Sequence, residues 1–342
     1  MTFSNSLSVS AIIPAYNRAD TIERAVRCAL AETIAGDEVL VIDDGSTDGT
    51  RAKVEAIGSE RVRYIWQANA GAGSARNCGA REATGDLVAY LDSDDEWLPG
   101  KIDLQRRFMA ANPDVLFCFT DFAGEVGGVR HHAGMSAWHE DSRPWDQILA
   151  APVNFSSVAE LPTGMPDCAV FIGDLYRNEM THNYILTSSI MIRRKEAGDA
   201  MRFTEGIKIM EDWGCFGRLA AKGKAAYIAC ETAVQYGHPG ERISDADLLL
   251  RSECRVVVLR EVWGSDSDFL AKSRDEYLAL LNHLEVSRVR GLLIHGRCLE
   301  ARSEIQRLDG VPAGYRILSH LPGPLVSSVL NIRRTMNSIL GS

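Results

Sequence analysis

The chain has 342 residues, 46% of them apolar and 24% charged, which suffices for one large or two modest domains and excludes a disordered, charge-dominated chain. A net charge of −9 argues against a nucleic-acid footprint spread over the whole surface. The eight cysteines, at positions 28, 78, 118, 168, 215, 230, 254 and 298, include no Cys-x-x-Cys pair, so they indicate neither a zinc site nor a disulfide framework, and a reducing cytosol is expected.

Met1–Ser8 lacks the basic-then-apolar pattern of a signal peptide, and no stretch is long and apolar enough to span a bilayer. Val9–Pro14 reads as a first strand. Asp20 is placed to cap the helix that follows and Glu23 to reach back, while Ile22, Ala25, Val26, Ala29 and Leu30 recur at helical spacing and Gly36 lies just past the end. Glu38–Ile42 is nearly all apolar, as a parallel strand covered on both faces should be. It runs into Asp43-Asp44-Gly45-Ser46-Thr47-Asp48, a composition that Asx turns favour. A helix over Thr50–Ile57, a strand over Val62–Trp66 and a helix from about Gly71 to just before Gly85 continue the alternation. The βαβαβαβ pattern predicts a doubly wound, mostly parallel α/β sheet.

Leu87–Leu91 has the length of a buried strand and ends in Asp92, Asp94 and Asp95. In an open α/β sheet this places three carboxylates at the crevice outside the strand ends, where they repel one another unless a cation neutralises them. Oxygen ligands of this kind suit Mg²⁺ or Mn²⁺. An isolated Asp-x-Asp is more often a solvated turn. Gly71-x-Gly73 imitates a dinucleotide fingerprint, but Arg76 holds the third glycine's place and the run follows the third strand instead of the first.

Taken together, Ile12-Ile13-Pro14-Ala15-Tyr16-Asn17, Val41-Ile42-Asp43-Asp44-Gly45-Ser46-Thr47-Asp48, Gly73-Ser74-Ala75-Arg76-Asn77-Cys78-Gly79 with Gly85-Asp86, and Leu91-Asp92-Ser93-Asp94-Asp95 resemble the family 2 glycosyltransferases, inverting sugar-nucleotide enzymes of the GT-A fold. Four motifs in order carry the resemblance; one would not. It implies that Pro14, Ala15, Tyr16 and Asn17 line the nucleotide slot with Tyr16 near the base. Asp43 or Asp44 would accept from the base, and Arg76 would pair with the base or the diphosphate. Asp92 would meet the ribose or the metal, Asp94 the metal, and Ser93 the donor. The implied donor is a nucleotide-diphosphate sugar, UDP-linked, and the implied acceptor a sugar or lipid-linked glycan of surface polysaccharide or glycan synthesis.

Beyond Trp97, a helix from Pro99 to Ala111 and a strand over Val115–Phe119 are expected, then an irregular stretch to about Asn183. That stretch holds His131, His132 and His139 and reads as a loop region near the acceptor. Ile185–Arg194 returns to strand. Glu211-Asp212-Trp213 opens an amphipathic helix with Phe216, Leu219 and Ala220, closed by Gly223. As plain chemistry the two acids suit any helix start; the resemblance makes Asp212, ahead of Glu211, the catalytic base. It also places His238 near metal or phosphate, a plain loop histidine being the alternative.

The Gln-x-x-Arg-Trp motif and membrane helices of the polymerising relatives are absent from the sequence, which points to transfer of a single sugar. Helices are expected over Leu248–Trp263 and Phe269–Leu308. The resulting division is 1–240 for the transferase domain, with a donor half 1–120 and an acceptor half 121–240, and 241–342 for a helical extension. Eight arginines lie in residues 288–342, and Leu325, Val329, Ile332, Met336 and Ile339 form one apolar stripe. A helix lying peripherally on the inner face of the membrane fits that pattern, as does one packed on the domain. A nucleotidyltransferase would need a basic triphosphate loop after the first strand, where only Arg18 stands. A catalytically inactive sugar-nucleotide-binding scaffold is the other alternative, against which the retained Asp92, Asp94 and Asp212 argue.

Overall fold

All seven residues of strand β1, Val9–Ala15, are buried, and the computed structural model, which describes residues 7–139, 141–236 and 247–330, builds its sheet outward from them. The chain forms two compact units, one of residues 1–206 with 211–240 and the other of 207–210 with 241–342. In the first, β1 is joined in parallel by β2 (Glu38–Asp43) on one side and β4 (Leu87–Tyr90) on the other, and β3 (Val62–Trp66) extends the β2 side. The order β3-β2-β1-β4 reverses direction at β1, the switch point where an α/β sheet opens a crevice. Helices α1 (Ile22–Glu32), α2 (Thr50–Glu55) and α3 (Ala72–Glu82) are the crossovers.

Beyond β4 the sheet stops being purely parallel. After the two-residue β5 (Glu96–Trp97) and helix α4 (Lys101–Ala111) come β6 (Val115–Val126), β7 (Val129–His131), β8 (Val153–Asn154), β9 (Ala169–Gly173), β10 (Met191–Arg193), helix α5 (Glu211–Lys222) and β11 (Lys224–Tyr236). Strand β10 inserts antiparallel between β4 and β6, and the order continues through β11, β9 and β8. This is the GT-A arrangement expected, a mostly parallel sheet flanked by helices, and further helices follow it in the chain.

Local expectations fail where tertiary contacts outbid pattern. Thr21 occupies the N-cap of α1 with no side-chain bond, so Asp20 does not cap it; the Arg18 carbonyl takes the Thr21 and Ile22 amides, and Glu23 pairs with Arg27 instead. Strand β6 runs to Val126, seven residues past Phe119, because β11 pairs with it as far as Glu125. Ile185–Arg194 is strand only at its end, since Thr187–Ser189 turns as a 3-10 helix. The stretch before Asn183 is not irregular throughout: Trp145 stacks on Tyr227 at 4.0 Å and edges onto His139 and Tyr184, so buried aromatics pin it to the sheet.

The second unit is helical. Asp247 caps α6 (Leu248–Val262) through the Leu249 and Leu250 amides, and Asp266 caps α7 (Ser267–Ile294) through Phe269. The expected Phe269–Leu308 helix breaks at Gly296, whose φ of 70° lets its own amide and that of Arg297 close on the Leu293 and Leu292 carbonyls. Helices α8 (Cys298–Ile305) and α9 (Ala313–Leu318) follow, and Leu249, Val289, Leu292, Leu293, Ala301 and Val326 form a core. Of the basic stretch, Arg288 pairs with Glu285 and Glu304 and Arg297 with Glu300. Leu325 and Val329 are exposed, and Ile332, Met336 and Ile339 lie outside the described residues. No described helix is long and apolar enough to cross a membrane.

One buried cation makes a stability prediction. Lys101 is fully buried at the start of α4, 4.6 Å from the Trp97 ring centre, and donates to Gln105 Oε1 at 2.5 Å; burial pushes its pKa down to about 7. A folded pKa below the unfolded value near 10.5 means the unfolded chain holds the extra proton between pH 7 and 10.5, so wild-type stability rises through that window and the full penalty applies below it. Lys101→Met, which leaves Gln105 short of a donor, is expected to raise stability by roughly 2–4 kcal/mol at pH 6 and by progressively less towards pH 10. Denaturant unfolding at both pH values checks this; a difference that does not change with pH would refute it.

Candidate active site

The C-terminal ends of β1, β2 and β4 bring three loops together. Pro14 and Ala15 are buried at the end of β1, whereas Tyr16 and Asn17 emerge from the sheet, Tyr16 half exposed. Asn17 takes a φ of 52° and is tied to the β2 loop, its amide donating to Ser46 Oγ and its Oδ1 accepting from Thr47. Asp43 is buried and accepts from Ser46 N and the Tyr64 hydroxyl, which is the Asx turn the composition favours. Asp44 is buried too. Its carboxylate accepts from Gln67 Nε2 at 2.6 Å, Ala70 N at 3.0 Å and Gly71 N at 2.8 Å, and so fastens the loop that enters α3.

The acids after β4 differ sharply in environment. Asp95 is buried and accepts from Ser188 Oγ at 2.6 Å; burial, then the charges of Asp92 and Asp94, push its pKa well above the carboxylate range, so it is a structural acid. Ser93 is buried. Asp92 and Asp94 remain partly exposed, with side chains 27% and 24% accessible. Arg18 lies 3.5 Å from Asp94 Oδ2, and Arg24 donates to the Asp94 carbonyl while stacking on Tyr236 at 4.0 Å. The lone cation after β1 was visible in the sequence. Its partner was not, because seventy-odd residues separate them.

Arg76 joins this loop to the second half of the unit. From the first turns of α3, one terminal nitrogen meets Asp92 Oδ1 at 2.7 Å and the other meets Glu211 Oε1 at 2.7 Å, with the guanidinium 5.2 Å from the Phe203 ring centre. Burial opposes its charge, and Asp92 and Glu211 more than compensate, raising its pKa. Gly73 permits this approach: a Cβ there would stand 3.1 Å from Glu211 Cγ and 3.2 Å from the Thr204 carbonyl. Arg76 was expected to reach the base or diphosphate; both of its terminal nitrogens are occupied by carboxylates.

Glu211 and Asp212 open α5. Asp212 accepts from Trp213 N at 2.8 Å and from Asn183 Nδ2 at 3.3 Å, and burial, reinforced by the Glu211 charge and opposed by Arg76, pushes its pKa up to about 7. A carboxylate titrating there is matched to taking a proton near neutral pH. Behind it, Glu179 is fully buried, receives Tyr184 N and has Oε1 unpartnered; burial, augmented by the Asp212 charge, pushes its pKa well above the carboxylate range. No sequence signal marked Glu179 or Asn183, which approach from a distant segment. The three histidines do not gather: His132 meets Glu231, and His139 is buried among aromatics. His238 lies outside the described residues.

Asp92 and Asp94 suit a hard divalent cation by donor chemistry, being two oxygen acids two positions apart on a crevice loop. Among the described residues no three acidic, histidine or cysteine side chains converge on one point. Two carboxylates leave most of a divalent cation's coordination positions to other oxygen ligands.

A family model described as glycosyl transferase family 2 matches residues 10–179. The chain is 34% identical over 228 residues to the succinoglycan biosynthesis protein ExoO of Rhizobium meliloti (strain 1021), covering 64% of this chain and 60% of that one. It is 30% identical over 232 residues to TuaG of Bacillus subtilis (strain 168), named as a teichuronic acid biosynthesis glycosyltransferase, covering 67% and 78%. Among solved structures, S. aureus TarS 1–349 in complex with UDP-GlcNAc matches with a TM-score of 0.58 at 17% identity, covering 92% of this chain and 90% of that one.

Proposed function

Since the chain belongs to glycosyl transferase family 2, we propose that it moves a single sugar, with inversion, from a UDP-linked donor to an acceptor hydroxyl on a sugar or lipid-linked glycan in polysaccharide synthesis. The observation that carries this reading is the continuous path Asp92–Arg76–Glu211–Asp212, which links an acidic crevice loop to a carboxylate of raised pKa. The names of the relatives, concerned with succinoglycan and teichuronic acid, support polysaccharide synthesis, and the UDP-GlcNAc bound to TarS supports a UDP-sugar.

In this reading residues 1–120 bind the donor, 121–240 bind the acceptor and carry the chemistry, and 241–342 are a helical extension. Pro14 to Asn17, Asp43, Asp44 and Ser93 line or buttress the nucleotide slot. Asp92 and Asp94 hold Mg²⁺ or Mn²⁺, which when bound supplies positive charge against the departing diphosphate. Asp212 accepts the acceptor hydroxyl's proton as that oxygen attacks the anomeric carbon from the face opposite the leaving group, so one displacement inverts the centre. Arg76 fixes the separation of the donor-side and base-side carboxylates.

Calorimetric titration of UDP with and without Mn²⁺ tests the donor side. Asp94→Asn is expected to lose tenfold or more of the Mn²⁺-dependent affinity, because an amide lacks the charge that retains the cation. Unchanged Mn²⁺-dependent binding would remove Asp94 from the metal site. Transfer from a panel of UDP-sugars separates the enzyme from an inactive scaffold.

A further inference from the structure

Strand β9 pairs antiparallel with β11 in the register Gly173–Ala225, Ile172–Ala226, Phe171–Tyr227 and Val170–Ile228. Continued by two positions, that register sets Cys168 opposite Cys230, and directly opposed residues project from the same face of a sheet. Each thiol perturbs the other's ionisation, which places the two side chains next to one another. Cys168 is partly exposed and Cys230 is 8% exposed, so the pair meets solvent on the Cys168 side.

Opposed Cβ atoms lie about 4.5–5.5 Å apart across an antiparallel pair, and a disulfide needs about 3.5–4.5 Å, so closure draws the strands together only slightly. The other side of β11 can follow that movement. Its pairing with β6 slips register between Ile228 and Glu231 and again between Glu231 and Ala233, so Cys230 sits within an irregular segment and not in a continuous ladder.

We propose that Cys168 and Cys230 are a peroxide-responsive dithiol that closes reversibly to an intrachain disulfide and thereby lowers activity at the crevice. The Cys230 thiolate attacks one oxygen of a hydroperoxide, which leaves Cys230 as a sulfenic acid and releases water or an alcohol from the other oxygen. The Cys168 sulfur then attacks the Cys230 sulfur, the S–O bond breaks and water departs, so two thiols have been oxidised and one peroxide reduced. The neighbouring Cys168 thiol lowers the Cys230 pKa against its burial, which supports Cys230 as the attacking sulfur and leaves Cys168 to resolve.

The route to the crevice is short. Next to Cys230, Glu231 accepts the Ala133 amide and pairs with His132, and the Thr232 carbonyl accepts the Leu98 amide. Ala233 and Val234 then pair with Trp97 and Glu96 of β5, which begins two residues after Asp94. A shift of β11 at the slipped register therefore moves the strand that anchors the acidic loop.

The full chain treated with hydrogen peroxide, alkylated with iodoacetamide and mapped by mass spectrometry tests this. A Cys168–Cys230 linked peptide is expected at peroxide levels that leave the other six cysteines alkylated, reversed by dithiothreitol, and Cys168→Ser is expected to leave a Cys230 sulfenic acid that dimedone traps. Both thiols remaining alkylatable, or Cys230 passing to sulfinic acid without a linkage, would overturn the proposal. The effect on activity rests on the proposed transfer function: severalfold loss on oxidation, recovered on reduction and missing in Cys230→Ser, is expected. A disulfide that forms without changing the transfer rate would refute the coupling to the crevice. Absence of any transfer by the reduced protein would count against the proposed function and leave the peptide map standing.

Discussion

Asp212→Asn is expected to lower sugar transfer by roughly 10²–10⁴-fold, the usual contribution of a general base, while UDP-sugar affinity stays within a few-fold. A group that only receives the acceptor's proton makes its key interaction in the transition state, so its removal lowers turnover and leaves ground-state donor binding intact. The pH profile sharpens the test. With the Asp212 pKa at about 7, wild-type transfer should fall about tenfold per pH unit below that point as the base is protonated. Glu211→Gln removes the negative charge that helps raise this pKa while keeping a hydrogen bond to Arg76. It should shift the profile to lower pH and cost far less rate. Stability should move the other way. The folded pKa of Asp212 lies above the ordinary 3.8, so the folded chain holds the extra proton between pH 3.8 and 7 and ionisation destabilises the fold as pH rises through that window. Asp212→Asn, with no charge to bury, should therefore be more stable than wild type above pH 7. Near-full turnover in Asp212→Asn would place the base elsewhere, and loss in Glu211→Gln alone would reverse the two roles.

Arg76→Met is expected to cost about 3 kcal/mol of folding stability, towards the lower end of the effect of removing one partner from a buried ion pair, because Asp92 and Glu211 keep some access to water. For a unit of this size that is a fall in Tm of roughly 6–12 °C. The same substitution deletes a charge that lowers the Asp212 pKa, so whatever transfer survives should have its profile displaced to higher pH. A merely structural arginine would not move that profile. Arg76→Lys is the control: one ammonium cannot fork between two carboxylates in fixed geometry, so partial recovery of stability is expected without full recovery of rate. Wild-type stability together with an undisplaced profile in Arg76→Met would remove Arg76 from both roles.

Much of the first half of the chain is legible from residue order alone. The Val9–Pro14 strand run, the Asp43-Asp44 turn and the acids after Leu91 are local signals with local causes, strand propensity, Asx bonding and strand termination. They set the parallel order, the crevice and which loops face it. The helix opened by Glu211 was equally readable, from its first-turn acids and apolar spacing. What failed locally failed because a distant partner competed. Asp20 loses its cap to a loop in which Asp48 and Thr50 hold the Ala19 and Arg18 amides. The stretch before Asn183 is ordered by aromatics stacking on Tyr227, and β6 outruns its own propensity because β11 supplies the hydrogen bonds.

By itself, then, the sequence determined the sheet class, the four motifs and the identity of the acids, all of which depend on neighbours within a few positions. Only the tertiary structure decided that Asp95 is a buried structural acid beside the partly exposed Asp92 and Asp94, that Arg76 faces Asp92 and Glu211, that Asn183 and Glu179 frame Asp212, and that Cys168 lies beside Cys230. Charge state and pairing at these positions are set by burial and by groups up to 135 residues away, and desolvation and Coulomb energies depend on distance in space, which residue order does not encode.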